Sequence, residues 1–123
     1  MNMGMGIPNK ILTLLANEGD IIMPDTPAAG GMIRVKKVAA VAEAYNTPCL
    51  MHCSHDLGLK TAAITHIAAS TPNFSGPNDT CYHGLTDDIL AEPLRFKNGK
   101  IRVPSNPGLG VDVDEAKIEK YSV

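Results

Sequence analysis

Two short apolar runs restrict the fold of this chain more than any other feature. "DIIMPD" (residues 20–25) and "TPCLMHC" (residues 47–53) each hold three consecutive apolar residues with no polar alternation. A strand that is solvated on one face alternates, whereas one covered on both faces reads as a continuous apolar run, as in parallel sheets flanked by helices. The segments around them have helical periodicity. Met32 to Tyr45 places Val35, Val38, Ala39 and Ala42 on one side and turns Lys36, Lys37 and Glu43 to solvent. Ile7 to Glu18 predicts a helix closed by Gly19, and Leu57 to Ser70 predicts an Ala-rich one stopped by Thr71-Pro72. Helix, strand, helix, strand, helix is the order of an α/β fold with parallel strands.

The linking segments are less regular. "TPAAGG" reads as a turn, and "FSGPNDTCYHG" as a loop with room for one short strand. In "LRFKNGKIRV" apolar and polar residues alternate on both sides of Asn98-Gly99, which predicts a β-hairpin. Asp114 to Tyr121 predicts a short closing helix. A sheet of so few strands is small, so the expectation is part of a larger assembly.

Composition removes several function classes. With 123 residues the chain is one domain or a piece of one. Its formal net charge is -2 and no basic run exceeds Lys36-Lys37, so nothing resembles an electrostatic footprint for nucleic acid or an anionic membrane. No apolar stretch approaches the roughly 18 residues of a membrane span. Met1 to Pro8 lacks the charged and apolar regions of a secretory leader. Cys49, Cys53 and Cys81 are odd in number and read as reduced thiols, which makes the expected address cytoplasmic.

Several polar residues compete for chemistry. Cys49, His52, Cys53 and His55 could be metal ligands, but strand alternation turns His52 away from both cysteines. The same alternation separates Cys53 from His52 as a nucleophile and base. Asp25 and His52 each end an apolar strand, where the following loops form the active face of parallel α/β folds. On adjacent strands the carboxylate would orient the imidazole and raise its basicity, as a general base requires. The plainer alternatives are a turn or helix-capping role for Asp25 and a backbone-bonded strand-end His52. Asp79, in "GPNDT", could reach the same rim from a third strand or serve an Asx-type turn. His55 is a further candidate, with helix capping beside Asp56 as its alternative. His66 reads as packed within a helix, His83 has no evident partner, and Gly30-Gly31 could receive an anion only weakly.

In order, "DIIMPDTPAAGG", "KKVAAVAEAYNTPCLMHCSH", "AAITHIAASTPNF" and "EPLRFKNGKIRVPSNPGLGVDVDEAKIEKY" resemble the C-terminal part of the enolase superfamily, in the mandelate racemase and muconate lactonizing enzyme group. The resemblance implies the last strands and helices of a (β/α) barrel in residues 1–93, about three parallel strands with helices. A hairpin and closing segment follow in residues 94–123. It also implies Mg²⁺-dependent removal of the proton α to a carboxylate, with an acid-sugar dehydratase as the parent. By that resemblance His52 is the base and Asp25 its partner one strand earlier. Asp79, or Asn78 one residue off, matches the acidic group near the enolate oxygen.

The resemblance starts just before the family's sixth strand. Its three metal-binding carboxylates and its acid–base lysine belong to earlier strands. Asn2 falls close to the last metal position and cannot replace three carboxylates. No residue of this chain is therefore expected to be a metal ligand. The expectation is a C-terminal fragment, inactive alone, of an enzyme acting on a sugar acid. The alternative is a non-catalytic partial barrel that self-associates through open sheet edges.

Overall fold

The computed structural model describes residues 2–3 and 20–122. The helix expected over Ile7 to Glu18, with its Gly19 end, lies outside the described residues. The chain divides into two units, Met1–Cys53 with Ile67–Asp79, and Ser54–His66 with Thr80–Val123.

The first unit is organised around parallel extended segments. β1 (Asn2–Met3) pairs with β2 (Ile21–Ile22), with Asn2 opposite Ile21 and Met3 opposite Ile22. On the other side of β2 the run from Pro48 to His52 lies parallel. Ile22 N donates to Pro48 O (3.0 Å), Leu50 N to Ile22 O (3.0 Å) and His52 N to Pro24 O (3.3 Å). Ile22 therefore sits beside Cys49, and alternation fixes the faces. Ile22, Pro24, Cys49 and Met51 share a fully buried face, while the opposite face carries Met23, Leu50, Asp25 and His52.

Two helices of this unit follow β2. α1 (Thr26–Ala29) is a single helical turn where the sequence suggests a plain turn. Pro27 suits the first turn of a helix, and Gly30, at φ 85°, closes it by donating to Pro27 O and Thr26 O. α2 (Met32–Ala44) buries Val35, Val38, Ala39 and Ala42, the face its spacing predicts. The segment from Asn73 to Asp79 completes the unit without forming a regular strand. Asn73 ties it down: its Nδ2 donates to Ala39 O (3.1 Å) and Thr47 O (3.0 Å), while its own carbonyl accepts from Cys49 N (2.9 Å).

α3 (Gly58–Ala69) matches the expected Ala-rich helix. In the second unit its first amide, Gly58 N, donates to Asp88 Oδ1 at 2.9 Å. A Cβ on residue 58 would overlap the Asp88 carboxylate and the Leu90 side chain, so glycine alone permits this approach. Tyr82 to Gly84 forms one 3₁₀ turn where one short strand has room in the sequence. β3 (Phe96–Lys97) and β4 (Lys100–Ile101) form the predicted antiparallel hairpin, Phe96 opposite Ile101. Asn98 and Gly99 both have positive φ, 53° and 69°, as a two-residue type I′ turn demands. α4 (Glu115–Tyr121) starts at Asp114, whose carboxylate accepts from Ala116 N (3.0 Å) and Lys117 N (3.3 Å). Among the described residues no helix is long and apolar enough to cross a membrane.

Candidate functional site

The register of the first unit brings three of the candidate residues into one row. With Ile22 beside Cys49, Pro24 stands beside Met51 and Asp25 beside His52, on the face opposite the buried one. On the far side Asp79 N donates to Met51 O at 3.2 Å, which brings the second acidic residue next to the His52 strand end. Asp25, His52 and Asp79 thus close three neighbouring extended segments in the order carboxylate, imidazole, carboxylate.

The local environments differ along the row. Asp25 is half-buried at the N-cap of α1 in extended backbone, and its side chain makes no capping bond. The capping alternative raised by the sequence is therefore not how this carboxylate is used. His52 is half-buried; its backbone amide is bonded to Pro24 O, while its ring Nδ1 is buried with no hydrogen-bond partner. Thr26 Oγ1, one residue after Asp25, is likewise buried without a partner. Asp79 is exposed. The imidazole thus stands between two carboxylate-bearing segment ends, and a carboxylate brought close to an imidazole favours its protonated form.

The other candidates fall elsewhere. His55 is exposed, belongs to the second unit and is not part of this row. Its φ of 54° is unusual for a residue with a Cβ. Asp56 does not cap α3; its Oδ1 pairs with Lys60 Nζ at 2.7 Å, and its Oδ2 is buried without a hydrogen-bond partner. The cap comes instead from Asp88, 30 residues further along the chain. His66 packs as expected, with Nε2 3.1 Å from Leu109 O, and His83 is exposed. Cys49 and Cys53 are buried thiols and Cys81 is a half-buried one. Gly30 and Gly31 end one helix and begin the next.

Among the described residues no three His, Cys, Asp or Glu side chains come together in a way that could hold a metal ion. Surface concavities occur among the described residues of the second unit. One of about 220 Å³ is lined by Tyr82, Asp88, Leu90 and Lys117, and one of about 350 Å³ by Arg95, Arg102, Ser105 and Asp112. Neither is lined by a member of the row.

Two side chains make bonds that the sequence does not announce. Asn78 uses its side chain on the row's backbone, with Oδ1 accepting from Met51 N at 2.8 Å. Asp88 joins Gly58 N to the Tyr82 hydroxyl, which donates to its Oδ2 at 2.7 Å. Both act over 27 residues or more in Asn78–Met51 and Asp88–Gly58, a distance at which local motifs carry no signal.

Comparison with known proteins gives a consistent set of likenesses. The sequence profile described as enolase C-terminal domain-like matches residues 8–117. A Streptomyces coelicolor protein named "Probable glucarate dehydratase" is 34% identical over 98 residues, 80% of this chain and 23% of that protein. The D-xylonate dehydratase of Haloferax volcanii is 36% identical over 106 residues, 85% of this chain and 25% of the enzyme. The chain spans about a quarter of the length of the curated relatives it matches. Among solved structures, an isomerase from Streptomyces coelicolor A3(2) superimposes with a TM-score of 0.88 at 38% identity, over 95% of this chain and 32% of that one. An enolase from Thermobispora bispora complexed with magnesium and formate gives 0.86 at 28% identity, over 94% of this chain and 28% of the other.

Proposed function

The chain belongs to the enolase C-terminal domain-like family, and from that premise we propose that it supplies the acid–base row of an enzyme that removes the proton α to a carboxylate. The observation that carries this reading is the row itself: Asp25, His52 and Asp79 at the ends of three neighbouring extended segments, with His52 in the middle. His52 takes the α-proton. The electron pair of the broken C–H bond moves into the substrate carboxylate, giving an enediolate. Asp25, beside His52 in the register, would orient the imidazole and stabilise its protonated form, and Asp79, in its protonated form, would donate a hydrogen bond to the enolate oxygen. Departure of a β-hydroxyl, as the enediolate electron pair forms the Cα–Cβ double bond and protonated His52 returns its proton to make the leaving group water, would make the overall reaction a dehydration.

The substrate class we infer is a sugar acid. It is supported by relatives named for glucarate and xylonate dehydration. Residues 1–93 carry the barrel part of this reading and residues 94–123 the closing segment.

A resident metal does not fit the described residues, since no three of their His, Cys, Asp and Glu side chains come together in a way that could hold a metal ion. Hard divalent cations take several oxygen ligands, so the cation implied by a magnesium-bound neighbour is assigned to other parts of a whole enzyme. No step above runs through it. On this reading the 123-residue chain is inactive by itself. Incubation with glucarate, xylonate, gluconate and galactonate in D₂O containing Mg²⁺ should give no α-deuterium and no dehydrated product. Turnover by the isolated chain, lost in His52→Ala, would contradict the division of labour proposed here.

A further inference from the structure

The Met51 peptide lies immediately before His52, and both of its polar groups are held by consecutive residues of one segment. Met51 is fully buried, so its amide must find an acceptor or bear the cost of an unmet buried donor. In a regular parallel ladder that acceptor is a backbone carbonyl of the next strand. Here the neighbouring segment leaves the ladder after Asn73 O accepts from Cys49 N, passes through residues 74–77, and returns at Asn78. Asn78 Oδ1 replaces the missing carbonyl, 2.8 Å from Met51 N, and Asp79 N then takes Met51 O at 3.2 Å. The other half of the amide, Nδ2, donates to Gly76 O at 3.3 Å, which fixes the orientation that presents Oδ1 to Met51.

We infer that Asn78 is a positioning residue for His52, clamping the Met51 peptide so that the imidazole is held between Asp25 and Asp79. The inference rests on the proposed role of His52. It also separates two neighbours that the sequence leaves interchangeable: the Asn78 side chain is committed to the backbone, which leaves the exposed Asp79 carboxylate for substrate. His52 is then fixed from both sides, by Pro24 O on one and by the Asn78–Asp79 clamp on the other.

The test uses the isotopically labelled 123-residue chain and needs no substrate, so its result is independent of whether His52 is a base. Amide hydrogen exchange is followed at Met51, and the imidazole of His52 is titrated by NMR. Asn78→Ala should accelerate Met51 exchange about tenfold and move the His52 titration midpoint by about half a pH unit or more. Asn78→Asp keeps an oxygen at the Oδ1 position and should retain Met51 protection, which also covers the case in which Asn78→Ala fails to fold. Asn73→Ala serves as the control for a merely structural asparagine. It removes packing bonds to Ala39 and Thr47 without touching Met51, and should leave the His52 midpoint where it was. Wild-type Met51 exchange in Asn78→Ala, loss of protection in Asn78→Asp, or an equal His52 shift in Asn73→Ala would each overturn the assignment.

Discussion

Tyr82 shows how one side chain can set a local pH response. Its buried hydroxyl donates to Asp88 Oδ2 (2.7 Å) and accepts from Leu94 N (3.1 Å). Burial, reinforced by the Asp88 bond, pushes its pKa up from 10.0 to about 12. A raised pKa in the folded state means that the neutral phenol is the stabilising form. The contribution is therefore complete below pH 10 and is lost as pH rises toward about 12. Tyr82→Phe should lower stability by about 1–3 kcal/mol at neutral pH, since it strips a bonding partner from buried Asp88. In urea titrations the variant should also lose less stability than the parent between pH 10 and 12. At Gly58 the usual helix preference should reverse. Alanine is normally better than glycine in a helix by about 1 kcal/mol, yet here its methyl meets Asp88 and Leu90. Gly58→Ala should therefore destabilise, by about 1–3 kcal/mol from overpacking, as measured by thermal or urea unfolding.

Single elements differ in how clearly the sequence announces them, and the difference follows from where their determinants lie. α2 was legible because Val35, Val38, Ala39 and Ala42 write its buried face at local spacing. The hairpin was legible because Asn98 and Gly99 accept positive φ between alternating strands. The 73–79 segment was not, because its pairing depends on Asn73 and Asn78 side chains reaching residues more than 20 positions away. α1 was missed because one turn of helix, Thr26–Ala29, contains too few residues for periodicity to register. The start of α3 is visible in the sequence but its cap is not, since Asp88 arrives from 30 residues downstream while the capping alternative offered for His55 and Asp56 is local.

The hairpin also carries its own prediction. Lys97 lies opposite Lys100, and alternation puts Arg95 and Arg102 on the same exposed face. Like charges directly opposite are destabilising and exposed charges are screened by salt. Amide exchange in residues 96–101 should therefore slow between low and roughly physiological ionic strength, where the Debye length is about 8 Å. Lys100→Glu should remove that salt response.

At the scale of the whole molecule, the alternation of helices and apolar runs was enough to name an α/β fold with parallel strands, and its resemblance to the enolase superfamily agrees with family membership. The row was partly legible. Asp25 and His52 each terminate an apolar run, so strand adjacency alone sufficed to pair them. Asp79 and Asn78 differ in a way no local pattern announces: the Asn78 side chain accepts from Met51 N, while Asp79 is exposed. The central claim is that His52, between Asp25 and Asp79, is the proton-abstracting base. It is tested most directly by substituting this chain for the matching segment, about a quarter, of the Streptomyces coelicolor relative and following solvent deuterium into the α-position of glucarate. The account predicts exchange by this chimaera and a fall of about 10²–10⁴-fold in His52→Asn. Undiminished exchange in His52→Asn would contradict it.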